Sequence, residues 1–389
     1  MKKIYYDLLY LTACGVNQIK PSDKCLENYI NNIEGLENLY KVSCRHFLES
    51  LVGMTLKNAG VILIDEWNER ISKAIRKSIL FEVERNKIFS FMEQNNIWYL
   101  ALKGIILEKY YPVLGMRQMS DNDILFDSEY ADNVKKYMVT HGYTAVSVGK
   151  GNHDVYKKKP IYNFELHRAL YGKIHNNSWV EYYSNIKDRL IKNENKSFEY
   201  YMSYEDFYVY IMSHAFKHYN ESGTGIRSLL DFYVYLQREE RILDFSYIER
   251  ECEVLGIAEF EKNSRQLCKK VFSQNIIKAY EPELFEMKLS NKENEKLYYY
   301  LTSGVYGTVD HMVDKNLKKY KNKEGKISKI KYIFRRIFPD EEFIRKYYPF
   351  FNKHKYLIPV LWMRRFVRLV VNKKRRKKIS RELKFLSKK

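Results

Sequence analysis

The chain has 389 residues, of which 45% are hydrophobic, and its formal net charge is +20. A chain of this length is too long for one small domain, and its apolar content excludes wholesale disorder. The charge is concentrated in one place, because the segment from Leu361 to Lys389 contains thirteen Lys or Arg residues and one acidic residue. The composition therefore indicates a mildly basic folded protein with a strongly basic tail.

The cysteines and the apolar segments exclude several classes of protein. The five cysteines are far apart and form no C-x-x-C pair, so neither a zinc site nor a disulfide framework is predicted. No run of about 18 uncharged apolar residues occurs, so no ordinary transmembrane helix is predicted. The first residues include Asp7 and no small-residue cleavage site, which does not favour a signal peptide. We therefore expect a cytoplasmic protein.

Four regions follow one another along the chain. They are an N-terminal helical region (1–95), an α+β core (96–200), a second helical region (201–313) and a linker with a basic amphipathic tail (314–389). The clearest helix is predicted from Asp65 to Gln94, where apolar residues recur at helical spacing with charges between them.

The core region is distinguished by short apolar runs of strand length. Strands are predicted at 97–102, 121–127, 144–148, 153–157 and 162–166. A short helix is predicted after each of the first two strands. This order predicts an α+β fold with a small mixed β-sheet, flanked by helical regions on its N-terminal and C-terminal sides.

Two carboxylates lie in the second predicted strand. Alternate side chains of a strand share a face, so Asp121 and Asp123 point the same way, a few ångströms apart. Carboxylates placed so closely repel each other unless a cation neutralises them, and Mg²⁺ or Mn²⁺ is the usual partner where phosphates are bound. The alternative is a loop with two exposed acids, since D-x-D alone is common.

Glu165 is a third acid, with the apolar neighbours Phe164 and Leu166. A carboxylate in this setting either faces solvent or serves a site. On a strand beside the acid pair, Glu165 would complete a cluster of three carboxylates. Such a cluster can hold two metal ions roughly 3.5–4 Å apart, which bind the attacking and leaving oxygens of an in-line displacement.

A basic turn precedes the acids. Gly104 follows the first strand and lets the backbone approach a ligand closely, and the N-terminus of the next helix favours an anion. Lys103 and Arg117 add positive charge, so all three residues are candidate contacts to a nucleotide. The alternatives are an ordinary tight turn at Gly104 and a surface ion pair at Arg117.

The chain resembles a bacterial family of uncharacterised nucleotidyltransferases over about residues 60–240. The resemblance lies in five short motifs: Leu102-Lys103-Gly104, Tyr111-Pro112, Gly115-x-Arg117, Asp121-x-Asp123 and Glu165-Leu166-His167. That family belongs to the polymerase-β-like superfamily and is distantly similar to the nucleotidyltransferase toxins of abortive-infection systems.

The resemblance implies a mixed sheet, a metal-binding acid pair and transfer of a nucleotidyl group from an NTP, which we expect to be ATP. By position, Asp121 and Asp123 would bind metal, and Glu165 would bind metal or deprotonate the acceptor. Two departures are visible. Lys103-Gly104 replaces the Gly-Ser pair that holds the triphosphate in the superfamily, and the third acid is Glu instead of Asp.

The second helical region adds a further match. His214 and His218 are spaced i and i+4 on one helix face, with Lys217 between them, and the resembled family has a similar helix over its site. These three residues are predicted to contact the nucleotide or the acceptor. A zinc site is the alternative, but the Glu that follows the first His in metalloproteases is lacking. Arg227 and Asp231, also at i and i+4, are predicted to pair and hold two helices.

The tail contains a predicted helix after Pro359, followed by the basic run 373–378. A basic amphipathic helix with a polybasic run is typical of proteins that bind anionic membranes, here through residues 356–389. RNA binding and a solvated tail are the alternatives. Membrane binding is favoured over RNA binding because of Trp362 and the apolar residues around it, and would place the protein peripherally at the inner face of the membrane.

The sequence thus predicts a Mg²⁺-dependent nucleotidyltransferase that acts on an unknown hydroxyl acceptor and releases pyrophosphate. Two other functions stay open. One is a catalytically silent scaffold at the membrane surface, in cell-envelope polysaccharide assembly. The other is an RNA-modifying, toxin-like nucleotidyltransferase. The sequence does not identify the acceptor or the oligomeric state.

Overall fold

The computed structural model describes all residues except 173–176, 274–276, 306, 309, 311, 314–316, 318–333, 336–337 and 389. The predicted linker, residues 314–330, therefore lies almost wholly outside the described residues. The chain divides into two compact units. The first consists of Met1–Phe216 and Gly225–Leu301, and the second of Lys217–Thr224 and Thr302–Lys389. The finer division into four regions stays a prediction.

Helices form the N-terminal part of the first unit. They are α1 (Lys3–Val16), α2 (Asp23–Leu26), α3 (Ile33–His46), α4 (Glu49–Asn58) and α5 (Asp65–Gln94). The ends of α5 are those predicted from the sequence. One set of its apolar residues at helical spacing is buried, among them Trp67, Ile71, Phe81, Ile88 and Met92, whereas Ile79 and Val83, which share the predicted periodicity, are exposed. The apolar stripe of this long helix therefore packs against the rest of the unit, which stabilises it.

A five-stranded mixed sheet follows α5. The elements are β1 (Tyr99–Ala101), α6 (Gly104–Leu107), β2 (Asn122–Phe126), α7 (Ala131–Thr140), β3 (Thr144–Ser147), β4 (His153–Lys158) and β5 (Tyr162–His167). The strand order is β1-β2-β5-β4-β3, in which β2 and β5 are parallel and the other neighbours antiparallel. The predicted α+β class with a small mixed sheet and helical flanks is confirmed.

One face of the sheet belongs to an apolar core. Ile124, Phe126, Phe164 and Leu166 from β2 and β5 are buried there with residues of α5 and α7. Asp123 and Glu165 alternate with these strand residues, so the pleat directs both acids to the opposite face. The core therefore fixes which residues of β2 and β5 can form a site.

Helices again make up the rest of the first unit. They are α8 (Asn177–Tyr182), α9 (Tyr204–Glu221), α10 (Ile226–Glu239), α11 (Phe245–Val254), α12 (Ala258–Phe272), α13 (Pro282–Met287) and α14 (Asn291–Ser303), and a two-stranded sheet of β6 (Ile191–Lys192) and β7 (Tyr200–Tyr201) precedes α9. The last residues of α9 and α14 belong to the second unit.

The second unit ends in four described helices. They are α15 (Glu341–Tyr347), α16 (Pro349–Lys353), α17 (Ile358–Val371) and α18 (Lys373–Lys388). Helix α17 begins next to Pro359, as predicted. Among the described residues, none of the helices combines the length and the apolar character needed to cross a membrane.

Candidate functional site

The three predicted acids lie on the polar face of the sheet. Asp123 on β2 and Glu165 on β5 are register partners in the parallel pair, so their side chains lie side by side. Asp121 is two residues before Asp123 and continues the same alternation. The parallel pairing of strands that are 42 residues apart is therefore what brings the third acid to the acid pair.

Asp123 is buried, and two donors bind the same oxygen. Lys103 Nζ and His167 Nε2 each lie 2.8 Å from Asp123 Oδ1. Burial raises the pKa of Asp123, but the Lys103 charge and the His167 hydrogen bond outweigh it and hold the pKa well below its usual range. Asp123 is thus a fixed carboxylate anion on the polar face.

Asp121 has the opposite electrostatic setting. Burial raises the pKa of Asp121, and the neighbouring Asp123 carboxylate raises it further, against the lowering effects of Lys103 and the Ser120 hydroxyl. Ser120 Oγ donates to Asp121 Oδ1 at 2.9 Å. Arg227 also lowers the pKa of Asp121, and a cation bound at Asp121 would lower it further.

Glu165 is more accessible than Asp123, whose side chain is only 7% exposed. The Glu165 side chain is 25% exposed, and its Oε2 lies 3.5 Å from His153 Nε2 on β4. Tyr210 of α9 is buried near Asp123 and Glu165, whose charges add to the rise that burial causes in its pKa. Helix α9 therefore approaches the acids from the polar side of the sheet.

The basic turn is formed as predicted, with an unusual backbone. Lys103 has φ 43° and ψ −110°, a strained conformation for a residue with a side chain. This conformation accompanies the contact of its ammonium group with Asp123. Gly104 is next, and a Cβ there would lie 2.7 Å from Arg117 Nη1 and 3.0 Å from Met119 Sδ. Gly104 is therefore needed for the close approach of the turn to Arg117.

Arg117 forms its hydrogen bonds with Asp231 of α10 and not with the acids of β2 and β5. Nε and Nη2 donate to the two oxygens of Asp231 at 2.8 and 3.0 Å, and Tyr111 Oη donates to the same carboxylate at 2.8 Å. This buried bidentate pair ties the Gly115–Arg117 loop to α10. The Arg227–Asp231 pair predicted from helical spacing was wrong, because Arg117 takes Asp231 and Arg227 Nη1 donates to the Gln118 carbonyl at 3.0 Å.

The predicted histidine helix is α9. His214 belongs to the first unit, and its ring lies 6.4 Å from that of Tyr210, between centroids. Lys217 and His218 belong to the second unit. Strand register and alternation put Asp121, Asp123 and Glu165 on one face of the sheet, and Lys103 contacts Asp123. A shared metal site of the three acids, and nucleotide contacts by Arg117, His214, Lys217 and His218, stay predictions.

Four residues near the acids were not assigned to the site from the sequence. Lys77 and Arg227 both interact electrostatically with Asp121, Tyr210 lies near Asp123 and Glu165, and His153 contacts Glu165. Of the four, only His153 could have been assigned to the site from the sequence. The β4–β5 hairpin around Lys159-Pro160 places it opposite His167. The other three come from helices whose packing the sequence does not specify.

The sequence model of one protein family matches residues 34–273, well over half of the chain, and its description is uncharacterised nucleotidyltransferase. The chain belongs to this family of nucleotidyltransferases, as the motifs predicted. Neither the curated proteins nor the solved structures include a significant match to the chain. Family membership therefore establishes a transferase of nucleotidyl groups, which implies a nucleotide substrate.

Proposed function

We propose that the protein is a divalent-metal-dependent nucleotidyltransferase that transfers a nucleoside monophosphate from an NTP, with ATP as the expected donor, to a hydroxyl acceptor. The acceptor oxygen forms a bond to the α-phosphorus, the α–β phosphoanhydride bond breaks, and pyrophosphate leaves with its electron pair. The main support is the in-register pair of Asp123 and Glu165 on parallel strands, with Asp121 two residues away on the same face. Membership of a nucleotidyltransferase family supports the same reaction class.

The acid cluster fits Mg²⁺ or Mn²⁺. Its donors are carboxylate oxygens, which these cations prefer. The raised pKa of Asp121 reflects burial and repulsion by Asp123, and a bound cation would relieve both. Asp121, Asp123 and Glu165 would hold the cation, which when bound supplies charge neutralisation for the phosphates and the leaving group.

The chain's own residues would position the reactants. Lys103 is 16% exposed and bound to Asp123, so its ammonium group can contact an NTP phosphate that approaches the acids. Glu165 is accessible enough to accept the proton of the acceptor hydroxyl. The His167 hydrogen bond holds Asp123 in one orientation. His214, Lys217 and His218 stay proposed nucleotide contacts, whereas Arg117, which is bound to Asp231, would act by holding the loop before the acids.

The reaction is tested with NTPs labelled at the α-phosphate, Mg²⁺ and cell extract as the source of acceptors. Transfer of label to a product should occur with the wild type and fall by at least about a hundredfold in Asp121→Asn and Asp123→Asn. Asp132→Asn, the same change at an exposed position of α7, is the matched control and should behave like the wild type. Metal-dependent NTP binding is measured in parallel. The absence of both labelling and binding, or wild-type behaviour of Asp121→Asn, would refute the proposal.

We also propose that α17 binds an anionic membrane surface. Val360, Met363, Val367 and Val371 are 46–74% exposed and recur at helical spacing, which makes one apolar face. Arg364 and Arg368 are exposed beside this face. The opposite side packs within the unit, where Leu361 is buried.

The chemistry of this surface favours lipid over nucleic acid. An apolar face bordered by arginines matches the boundary between acyl chains and anionic headgroups. The basic run 373–378 follows directly in the chain. A phosphate backbone would use the arginines and lysines but would leave the four apolar residues in water.

Sedimentation with vesicles tests the membrane proposal. The protein should bind phosphatidylserine–phosphatidylcholine vesicles more tightly than pure phosphatidylcholine vesicles. The double variant Met363→Asp with Val367→Asp should lose binding, and Ile62→Asp, at a residue that is 88% exposed, should keep it. Equal binding by both variants would overturn the proposal. Tight RNA binding that the double variant retains would assign the tail to nucleic acid instead.

A further inference from the structure

A second group of metal-ligand side chains lies beside the acid pair. Among the described residues, His153, Glu165 and His167 are the one group of three whose donor atoms all lie within 4.8 Å of one another. His153 and His167 are register partners on the antiparallel strands β4 and β5, and their ring centroids are 4.9 Å apart. Glu165 is two residues before His167 and therefore on the same face of the sheet.

The hydrogen bond to Asp123 determines the tautomer of His167. A carboxylate accepts, so His167 Nε2 carries the proton that lies toward Asp123 Oδ1 at 2.8 Å. In the neutral ring with this tautomer, Nδ1 has a lone pair. Nδ1 is buried and has no hydrogen-bond partner within the described part of the chain.

An unpartnered buried acceptor costs free energy, which a ligand to Nδ1 would recover. The arrangement of carboxylate, imidazole and an open ring nitrogen is the one in which protein histidines bind metal ions. The carboxylate fixes the ring and increases its basicity as a ligand. Asp123 has this orienting position with respect to His167.

We infer that His153, Glu165 and His167 bind a divalent transition-metal ion of the zinc class, at a site distinct in chemistry from the all-oxygen Mg²⁺ site. Imidazole nitrogen suits Zn²⁺ and its neighbours in the periodic table, whereas Mg²⁺ selects oxygen. Three protein ligands leave a fourth position open, as in catalytic zinc sites. The side chains of His153 and Glu165 are 34% and 25% exposed, so water or a substrate group can reach that position.

Glu165 belongs to both groups of ligands. A carboxylate has two oxygens, and Oε2 of Glu165 is the one that lies 3.5 Å from His153. The inference goes beyond the proposed transfer reaction, because it rests on the two histidines and not on Asp121. It predicts a bound ion whether or not an NTP is present.

Metal titration of the full-length protein tests the inference. Metal-stripped protein is titrated with Co²⁺, whose visible absorption reports nitrogen ligands, and then with Zn²⁺ as competitor. With the wild type, the band from nitrogen-bound Co²⁺ should saturate at one equivalent, and Zn²⁺ should displace the absorbing ion. His153→Gln should weaken Co²⁺ binding at least about tenfold. His141→Gln, at the exposed histidine that directly follows α7, is the matched control and should bind like the wild type.

His153 is preferred for this experiment because His167 is buried and its substitution can prevent folding. Glu165→Gln serves as the second ligand variant, and thermal unfolding confirms that both variants are folded. No spectral band with the wild type would overturn the inference. Co²⁺ affinities of His153→Gln and Glu165→Gln equal to that of His141→Gln would also overturn it.

Asp121→Asn separates this inference from the proposed function. It should abolish labelling from the NTP and leave the Co²⁺ band unchanged. A Co²⁺ band without any nucleotidyl transfer would remove the proposed reaction and leave the histidine site in place. Nucleotidyl transfer without a Co²⁺ band would remove the histidine site and leave the proposed reaction in place.

Discussion

The two faces of strands β2 and β5 are made by alternate residues of the same two segments, yet they are held by different interactions. On one face, Phe164 and its neighbours are fully buried among aromatic and aliphatic side chains. On the other face, Asp123 is buried among charged and polar partners, with Lys103 and His167 on one oxygen. The apolar face is stabilised by close packing of side chains, and the polar face by hydrogen bonds between particular atoms.

This difference separates stability from function along each strand. Close packing on the apolar face is non-directional, and many substitutions there change the free energy of unfolding. The polar face depends on a few specific contacts that hold α10 and the loops before β2. They are the Arg117–Asp231 ion pair and the hydrogen bonds of His46. Substitutions can therefore be chosen that affect one face and not the other.

The neighbouring residues Phe164 and Glu165 give the largest contrast. Phe164 packs against Phe81 and Tyr143, so Phe164→Ala should lower the free energy of unfolding by about 3–5 kcal/mol. Glu165→Gln should change it by no more than about 0.5 kcal/mol and still abolish nucleotidyl transfer. Urea unfolding and the labelling assay on both variants check this. Equal losses of stability in the two variants would contradict the account of the two faces.

Breaking the Arg117–Asp231 pair is expected to have the next largest effect. Asp231→Asn leaves the buried Arg117 guanidinium without a counter-charge, so the free energy of unfolding should fall by about 3 kcal/mol. Asp188→Asn, an exposed acid, is the control and should have little effect. If both variants unfold at the same urea concentration, the pair does not hold α10.

His46 should make stability depend on pH. Its Nδ1 accepts from the Ile226 N–H at 3.3 Å, and Nε2 lies 3.2 Å from the Leu301 carbonyl, which fits the neutral ring. Burial and the Arg45 charge lower the pKa of His46 to about 4. The histidine of the unfolded chain has a pKa of about 6.5. As the pH falls from about 6.5 to about 4, His46 therefore becomes protonated in the unfolded chain and stays neutral in the folded chain.

Stability attributed to His46 is thus fully present above about pH 6.5 and lost below it. Between about pH 7 and about pH 5, the loss should be smaller in His46→Gln than in the wild type by about 2 kcal/mol. Urea unfolding at the two pH values measures this difference. Identical pH dependence in the two proteins would show that His46 does not hold the start of α10 as a neutral ring.

Gly104→Ala should have the smallest effect of the four. The added Cβ would meet Arg117 Nη1 and Met119, and this crowding costs free energy. Alanine also favours a helix more than glycine does, which offsets part of the cost. We expect a net loss of about 1 kcal/mol in urea unfolding. A gain in stability would show that Met119 and Arg117 can move aside.

Local patterns predicted most of the elements. Helix α5 has the predicted ends because its apolar residues recur over thirty residues. The predicted ends of β1 to β5 lie within about two residues of the ends in the structure, because short apolar runs between turn residues usually form strands. The acid pair and Glu165 could be chosen from the same alternation.

Pairings distant in sequence were not predictable. Helical spacing favoured Arg227 for Asp231, but Arg117, 114 residues away, forms the bidentate pair. The strand order, which places β5 between β2 and β4, also depends on packing of the whole unit. The histidine group lies on the β4–β5 hairpin, whose two strands were predicted, and it was missed because the register that pairs His153 with His167 was not predicted.

The most direct test of the polar face as a catalytic site is a crystal structure of the protein with Mn²⁺ and a non-hydrolysable NTP analogue. Anomalous scattering from Mn²⁺ locates the ion independently of the nucleotide. The account predicts Mn²⁺ in contact with Asp121 and Asp123, Glu165 at the same cluster, and the triphosphate beside Lys103. Nucleotide and Mn²⁺ bound elsewhere, with Lys103 still paired to Asp123, would contradict it.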